Sequence, residues 1–199
     1  MKRRICTTLP EAAEAGDLSR VRELIGQGSD VNSRDKDGCT ALQLAVGDGF
    51  VEIAVLLLEH GADTSAVDHR GFTLLHWASL SNSAAIMSLA FAPTINVNAL
   101  DNDGRTPLSW AASEDRTISL DWLLKHGAAP DIADHDGWTP LHYAAANDQI
   151  ASIEHLMKMG ASPDLRSKAG ESAIHVATRL NRDEAVVALR KFKPRQMRS

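Results

Sequence analysis

Gly137-Trp138-Thr139-Pro140-Leu141-His142-Tyr143-Ala144-Ala145 decides the architecture, because versions of this stretch recur along almost the whole chain. Gly38, Gly71, Gly104, Gly137 and Gly170 stand 33 residues apart without a slip. Two residues after each comes Thr40, Thr73, Thr106, Thr139 or Ser172; four after come Leu42, Leu75, Leu108, Leu141 and Ile174; seven after come Ala45, Ala78, Ala111, Ala144 and Ala177. Four columns held in phase over five copies define a repeat chain, and an unbroken period of this length predicts one elongated solenoid rather than two globular domains.

Each position has a mechanical reading. Glycine suits a tight turn with positive φ. Threonine is a good N-cap, and Pro107 and Pro140 fit the first helical position, where no amide donor is needed. Leucine and alanine then share one helical face, and the small alanine admits close packing by the next element.

With partner segments such as Leu56-Leu57-Leu58-Glu59-His60-Gly61-Ala62-Asp63, these residues resemble the ankyrin repeat over roughly residues 5 to 192. The resemblance implies an all-α repeat solenoid in which each unit is a helix-turn-helix with a β-hairpin loop, with about six repeats including two caps. The expected units are 5–34, 35–67, 68–100, 101–133, 134–166 and 167–192, between a basic arm at 1–4 and a basic tail at 193–199.

The ends and the middle depart from the pattern. Counting back from Gly38 puts Ile5 in the glycine column, yet Thr7, Leu9 and Ala12 keep theirs, so repeat one reads as a cap with a polar outer face. Repeat six keeps Gly170, Ile174 and Ala177, and the charge on Arg182 to Phe192 suits the opposite cap. In repeat three, Ala90-Phe91-Ala92-Pro93-Thr94 replaces the usual leucine pair and terminal glycine; Pro93 disfavours helix at Ala92. The second helix is therefore expected to end early, making residues 86–100 the weakest internal joint.

Composition narrows the function. The formal charge of −5 hides a segregation: eight of the 21 basic residues lie in 2–4 and 190–198, leaving 13 against 26 acids, or −13, for the rest. Such a body repels nucleic acid. Two cysteines, Cys6 and Cys39, cannot build a disulfide framework, which points to a reducing compartment, cytoplasmic or nuclear. No stretch reaches about 18 consecutive apolar residues, so no membrane span is expected.

His76, His142 and His175 share one column. Metal ligands must converge, whereas these recede by one helix spacing per repeat. In the ankyrin pattern this histidine instead ties neighbouring loops together. Asp35, Asp68, Asp101 and Asp134 form a second column, read as turn caps. With no nucleophile elbow, phosphate loop, His-Glu-x-x-His or Cys cluster, no catalysis, metal or cofactor is expected.

Two columns point to a partner. Six after the glycine come Leu44, Trp77, Trp110, Tyr143 and Val176; one after come Cys39, Phe72, Arg105, Trp138 and Glu171. The resemblance places the first set on the inner helices lining a concave groove and the second near the hairpin tips. Trp, Tyr and Arg are the types enriched in interface hot spots. Leu80, Ser81, Glu114 and Asn147, nine or ten after the glycine, complete the candidate groove, apolar at its base and acidic at its rim through Asp103, Asp136 and Asp148. Trp122, on a second helix, reads as core.

The expected function is a non-catalytic interaction module, adaptor or scaffold. It would hold, as a monomer, a protein or extended peptide with an apolar anchor flanked by Lys or Arg. A second expectation comes from Thr73-Leu74-Leu75-His76-Trp77-Ala78 and Thr106-Pro107-Leu108-Ser109-Trp110-Ala111, which resemble the ankyrin segments of Asp-His-His-Cys-type palmitoyltransferases. That resemblance gives Trp110 a substrate-holding role. The companion asparagine falls on Ser81, and the Asp-His-His-Cys motif is not in these 199 residues. A third is a subunit masking a partner's surface.

Overall fold

A computed structural model describes residues 6–91 and 95–192. Among them run twelve helices in six pairs: α1 (Leu9–Glu14) and α2 (Leu18–Gly26), α3 (Ala41–Gly47) and α4 (Val51–Glu59), α5 (Leu74–Ser81) and α6 (Ala84–Ala90), α7 (Pro107–Ser113) and α8 (Thr117–Lys125), α9 (Pro140–Ala146) and α10 (Ile150–Lys158), α11 (Ala173–Arg179) and α12 (Asp183–Lys191). One pair per 33-residue period gives the six units read from the sequence. The basic arm and tail lie outside the described residues.

The first helix of each unit starts on its threonine. Thr8, Thr40, Thr73 and Thr106 accept from the backbone N–H of the third helical residue at 3.2–3.4 Å. In three of these units the third residue replies: Glu11, Gln43 and His76 each accept from the cap's own N–H, closing a capping box. The leucine and alanine columns then enter one continuous core. Leu42, Leu75, Leu108 and Leu141 are buried with Ala45, Ala78, Ala111 and Ala144, against Ile53, Leu57, Ile86, Met87, Leu120, Leu123, Ile153 and Leu156 of the second helices.

The second helices are capped differently. Phe50, Arg116, Gln149 and Arg182 stand at the N-caps of α4, α8, α10 and α12 and supply no side-chain cap. For the last three the preceding repeat does so. Asn82, Asp115 and Asp148, each at positive φ in the turn between its own two helices, accept from Ile118, Ser152 and Ala185 at 2.9–3.0 Å. Asn32, Asn98 and Asp131 accept in the same way from Asp63, Ala129 and Ser162 of the following unit at 2.8–2.9 Å. A unit thus completes its hydrogen bonding only when its neighbour is folded, which is the nearest-neighbour coupling of a solenoid.

The loops between units form no named strand among the described residues; one isolated bridge pairs Arg34 with Thr40. Each described tip is a hairpin closed by two backbone bonds, such as Asp101 N–H to Arg105 O and Gly104 N–H to Asp101 O, both at 3.0 Å. Tips also bond tip to tip, with His69, Asn102, His135 and Lys168 donating to Asp37, Arg70, Asp103 and Asp136 at 2.8–3.1 Å.

Repeat three shows the expected early stop. α6 has seven residues where α4, α8 and α10 have nine, and Phe91 leaves it in an extended conformation. Ala92, Pro93 and Thr94 lie outside the described residues. The Phe91 ring meets Trp122 edge-on at 5.1 Å, and Trp122 stacks on His126 at 3.6 Å. Trp122, expected in the core, is therefore half-buried in an aromatic cluster on the second-helix side.

Candidate functional site

The site begins with the aspartate column. One oxygen of each carboxylate holds its own hairpin: Asp101 Oδ1 accepts from Asp103 and Arg105 N–H at 3.0 and 2.8 Å, and Asp134 Oδ1 from Asp136 and Trp138 N–H at 2.8 Å. The glycine is required twice over at Gly137. Its φ is 79°, and a Cβ there would come within 2.9 Å of the Lys168 backbone nitrogen.

The second oxygen reaches the aromatic column. Trp110 Nε1–H donates to Asp101 Oδ2 at 2.8 Å, and the Tyr143 hydroxyl donates to Asp134 Oδ2. Burial and this bond push the Tyr143 hydroxyl well above the usual phenol range. In repeat three Arg70 occupies Asp68 Oδ2 at 3.1 Å, and the buried Trp77 Nε1 has no partner among the described residues. Its ring lies instead over Gly47 of the preceding unit, where a Cβ would meet it at 2.5 Å.

The two candidate columns do not form separate surfaces. Phe72 and Arg105 each wedge between aromatics of their own and the following repeat, and Trp138 packs on Tyr143 of its own. Phe72 meets Trp77 at 6.0 Å and Trp110 at 5.0 Å; the Arg105 guanidinium lies 3.6 Å from the Trp110 ring centre and 3.9 Å from that of Tyr143; Trp138 meets Tyr143 at 5.1 Å. Arg70 caps the seam 4.0 Å above Phe72. The result is one ladder of rings and cations across repeats three to five. Each desolvated cation–π contact contributes about 1–2 kcal/mol.

Exposure sorts the candidates. Trp77, Trp110, Tyr143, Arg105 and Trp138 are half-buried. Phe72 is 1% exposed and is corrected to a support beneath Trp77 and Trp110, because a ring between two indoles has no free face. Leu80 and Ser81 are half-buried, and Ser81 Oγ donates back to Ala78 O. Glu114 is exposed. Asn147 is spent on structure, its Nδ2 donating to Ser113 O and Oγ at 3.1 and 2.8 Å. Exposed Asp103 and Asp136 stand at the tips beside the seam. Sequence reasoning missed Arg70 and the role of Asp101 and Asp134 in clamping the rings.

The histidine column is structural. His76 Nδ1 accepts from Thr73 N–H, so its proton sits on Nε2, which donates to Arg105 O in the next repeat at 3.1 Å. His142 bonds Glu171 O at 3.0 Å, and Gln43 does the same work to Phe72 O at 3.2 Å. Burial lowers the pKa of both His76 and His142, keeping them neutral. Repeat four carries Ser109 here, whose hydroxyl pairs with Thr106 Oγ1, so the joint to repeat five lacks this tie. Burial, with Asp35 and Asp68 nearby, pushes the Cys39 thiol up to about 12, which makes it inert. Among the described residues no three His, Cys, Asp or Glu side chains converge as a metal site, and no helix is long and apolar enough to cross a membrane.

Stacked helix pairs joined by interlocking hairpin tips define an all-helical repeat solenoid. A family model described as ankyrin repeats in three copies matches residues 9–101, 88–167 and 120–196. The chain belongs to the ankyrin-repeat family. It is similar to the crystal structure of the human ASB11 ankyrin repeat domain, with a TM-score of 0.80 and 26% identity over 97% of this chain and 86% of that one. Two ankyrin repeat proteins of Rickettsia felis, RF_p14 and RF_pd14, are each 44% identical over 45 residues, 23% of this chain and 71% and 68% of theirs. The ankyrin-repeat fold is a general protein–protein interaction fold, and generally a non-catalytic one.

Proposed function

We propose that the chain is a non-catalytic adaptor whose seam across repeats three to five captures an extended segment of a partner protein. What supports this reading is Arg105: its guanidinium sits between the Trp110 and Tyr143 rings, its buried Nε has no acceptor, and no ion pair engages it among the described residues. A desolvated donor left without a partner costs about 1–3 kcal/mol, a cost a bound acceptor removes. The half-buried side chains of Trp77, Trp110, Tyr143 and Trp138 supply the apolar anchor site. Exposed Asp103, Glu114 and Asp136 favour Lys or Arg beside the anchor. The same seam would serve a palmitoyltransferase's substrate-recruiting domain or a masking subunit; location in the cytoplasm or nucleus and a monomeric state fit each.

Selection from a random-peptide library against the intact chain tests this. Enriched peptides should carry an apolar residue flanked by Lys or Arg, and Asp103→Lys with Asp136→Lys should weaken them at least about tenfold without altering circular dichroism. Enrichment of acidic peptides, or binding indifferent to both substitutions, contradicts the proposal.

A further inference from the structure

The hairpin tips that border the seam carry unlike charges. One position before the glycine stand Arg70, Asp103 and Asp136, all exposed and one period apart. They form one row, because Asn102 N–H bonds Arg70 O at 2.9 Å and His135 N–H bonds Asp103 O at 3.1 Å. The row is therefore positive at repeat three and negative at repeats four and five. Arg105, the other guanidinium of the seam, is half-buried between the Trp110 and Tyr143 rings and stands outside this row.

Arg70 is held as an anion seat. Its Nε and Nη2 donate to Asp68 Oδ2 at 3.3 and 3.1 Å, and its guanidinium lies 4.0 Å from the Phe72 ring centre and 5.0 Å from that of Trp77. Buried Asp68 is fixed in turn, since its Oδ1 accepts from Arg70 and Phe72 N–H at 2.8 and 2.9 Å. Nη1, at the far end of the fork, has no partner among the described residues. By contrast, Nη1 of Arg34 and of Arg166 is spent on backbone carbonyls at 2.6–2.7 Å. A fork fixed in advance loses little freedom on binding, so its open end suits a carboxylate.

Spacing turns this charge pattern into a sequence pattern. Neighbouring helices pack about 8–10 Å apart, and that separation carries from one repeat to the next. A polyproline II segment rises about 9 Å per turn of three residues, so every third side chain faces the same row. A β-strand alternates sides at each residue and turns alternate members of that series away. Resting on the adaptor reading above, we infer that the seam takes a partner segment in the polyproline II conformation whose charges run acid, base, base at every third residue. The acid pairs with Arg70 and the bases with Asp103 and Asp136, while apolar residues between them lie on the Trp77, Trp110 and Tyr143 rings. The single cation fixes the register: a slip by one repeat sets the acid against Asp103.

Three dye-labelled peptides of one composition, titrated with the intact chain by fluorescence anisotropy, test this. They are Glu-Pro-Leu-Lys-Pro-Leu-Lys, Lys-Pro-Leu-Glu-Pro-Leu-Lys and Lys-Pro-Leu-Lys-Pro-Leu-Glu, blocked at both ends. Equal net charge makes long-range steering the same for all three, and the first and third cover the two chain directions. One of those two should bind at least about tenfold tighter than the second, whose acid faces Asp103. Arg70→Gln should cut that preference to within about twofold with circular dichroism unchanged. Should that variant fail to fold, the ranking on the parent chain decides alone. Equal binding of all three, weakened together by Asp103→Lys with Asp136→Lys, overturns the charge register and leaves the adaptor reading standing. A preference that survives Arg70→Gln, or tightest binding by the second peptide, also overturns it. Binding of none overturns the register, and if the random-peptide selection also yields nothing, the adaptor reading falls with it.

Discussion

Asp115 carries more of the solenoid's continuity than its place in a surface turn suggests. The joint between repeats four and five lacks an imidazole tie, since Ser109 occupies that column. Across this joint Asp115 Oδ1 accepts both the Ser152 N–H at 3.0 Å and the Ser152 hydroxyl at 2.8 Å, and Ser152 is fully buried. Asp115→Gly keeps the backbone at its φ of 52° and removes both bonds. Losing the cap costs about 1–2 kcal/mol and stranding the hydroxyl about 1–3, so roughly 2–5 kcal/mol is expected. Asp115→Ala adds about 1 kcal/mol for a Cβ in the left-handed region. Asp115→Asn keeps an acceptor and should cost less than about 1 kcal/mol. Urea unfolding followed by circular dichroism reads the total, and native-state hydrogen exchange locates it in α10. Gly and Ala variants within about 0.5 kcal/mol of the parent, or Asn as damaging as Ala, would refute trans-capping as the coupling device.

Other expectations follow from the same contacts. Because burial lowers the pKa of His76 and His142, the unfolded chain binds protons more readily there, so their stabilisation is present above pH ~6.5 and fades as pH falls. His142→Gln, copying Gln43, should hold stability at pH 7.5 within about 1 kcal/mol and flatten the acid decline measured by urea midpoints. Tyr143 is the single tyrosine, so alkaline absorbance titration reads it alone. Its ionisation should lie above the ordinary value of ~10 in the native chain and return to it in guanidinium; with the folded pKa raised, stability is present below ~10 and is lost as pH rises further. Amides of the short α6 should exchange at least about tenfold faster than those of α4; equal protection would contradict a weak joint in repeat three. Gly47→Ala should displace the Trp77 ring and shift its fluorescence, since the added carbon would meet the indole at 2.5 Å.

Everything that repeats within one unit could be read in the sequence. The threonine caps, the buried leucine and alanine columns and the aspartate hairpins follow from residue type at fixed phase, and the linking histidine from the resemblance to the ankyrin repeat. What could not be read is the offset between units. Asn82 caps Ile118, 36 residues on, and Asp115 caps Ser152, 37 on; neither spacing is the period, and nothing in a single chain marks it. The same offset hid the site's true form. Phe72 and Arg105 were legible as tip residues, but that one sinks between two indoles while the other is held between indole and phenol depends on how far each tip leans over the next repeat. Trp122 read as core because an indole on a second helix normally faces inward; the short α6 and the outward turn of Phe91 gave it a different partner.

The central claim, capture on the aromatic seam, is tested most directly by the indole N–H resonances of the four tryptophans on titration with a library-selected peptide. Trp77, Trp110 and Trp138 lie on the seam, whereas Trp122 lies on the second-helix side and serves as the control. Saturable shifts of the first three with Trp122 unmoved are predicted. Movement of Trp122 with the other three unchanged would place the partner on the opposite side of the solenoid and contradict the account.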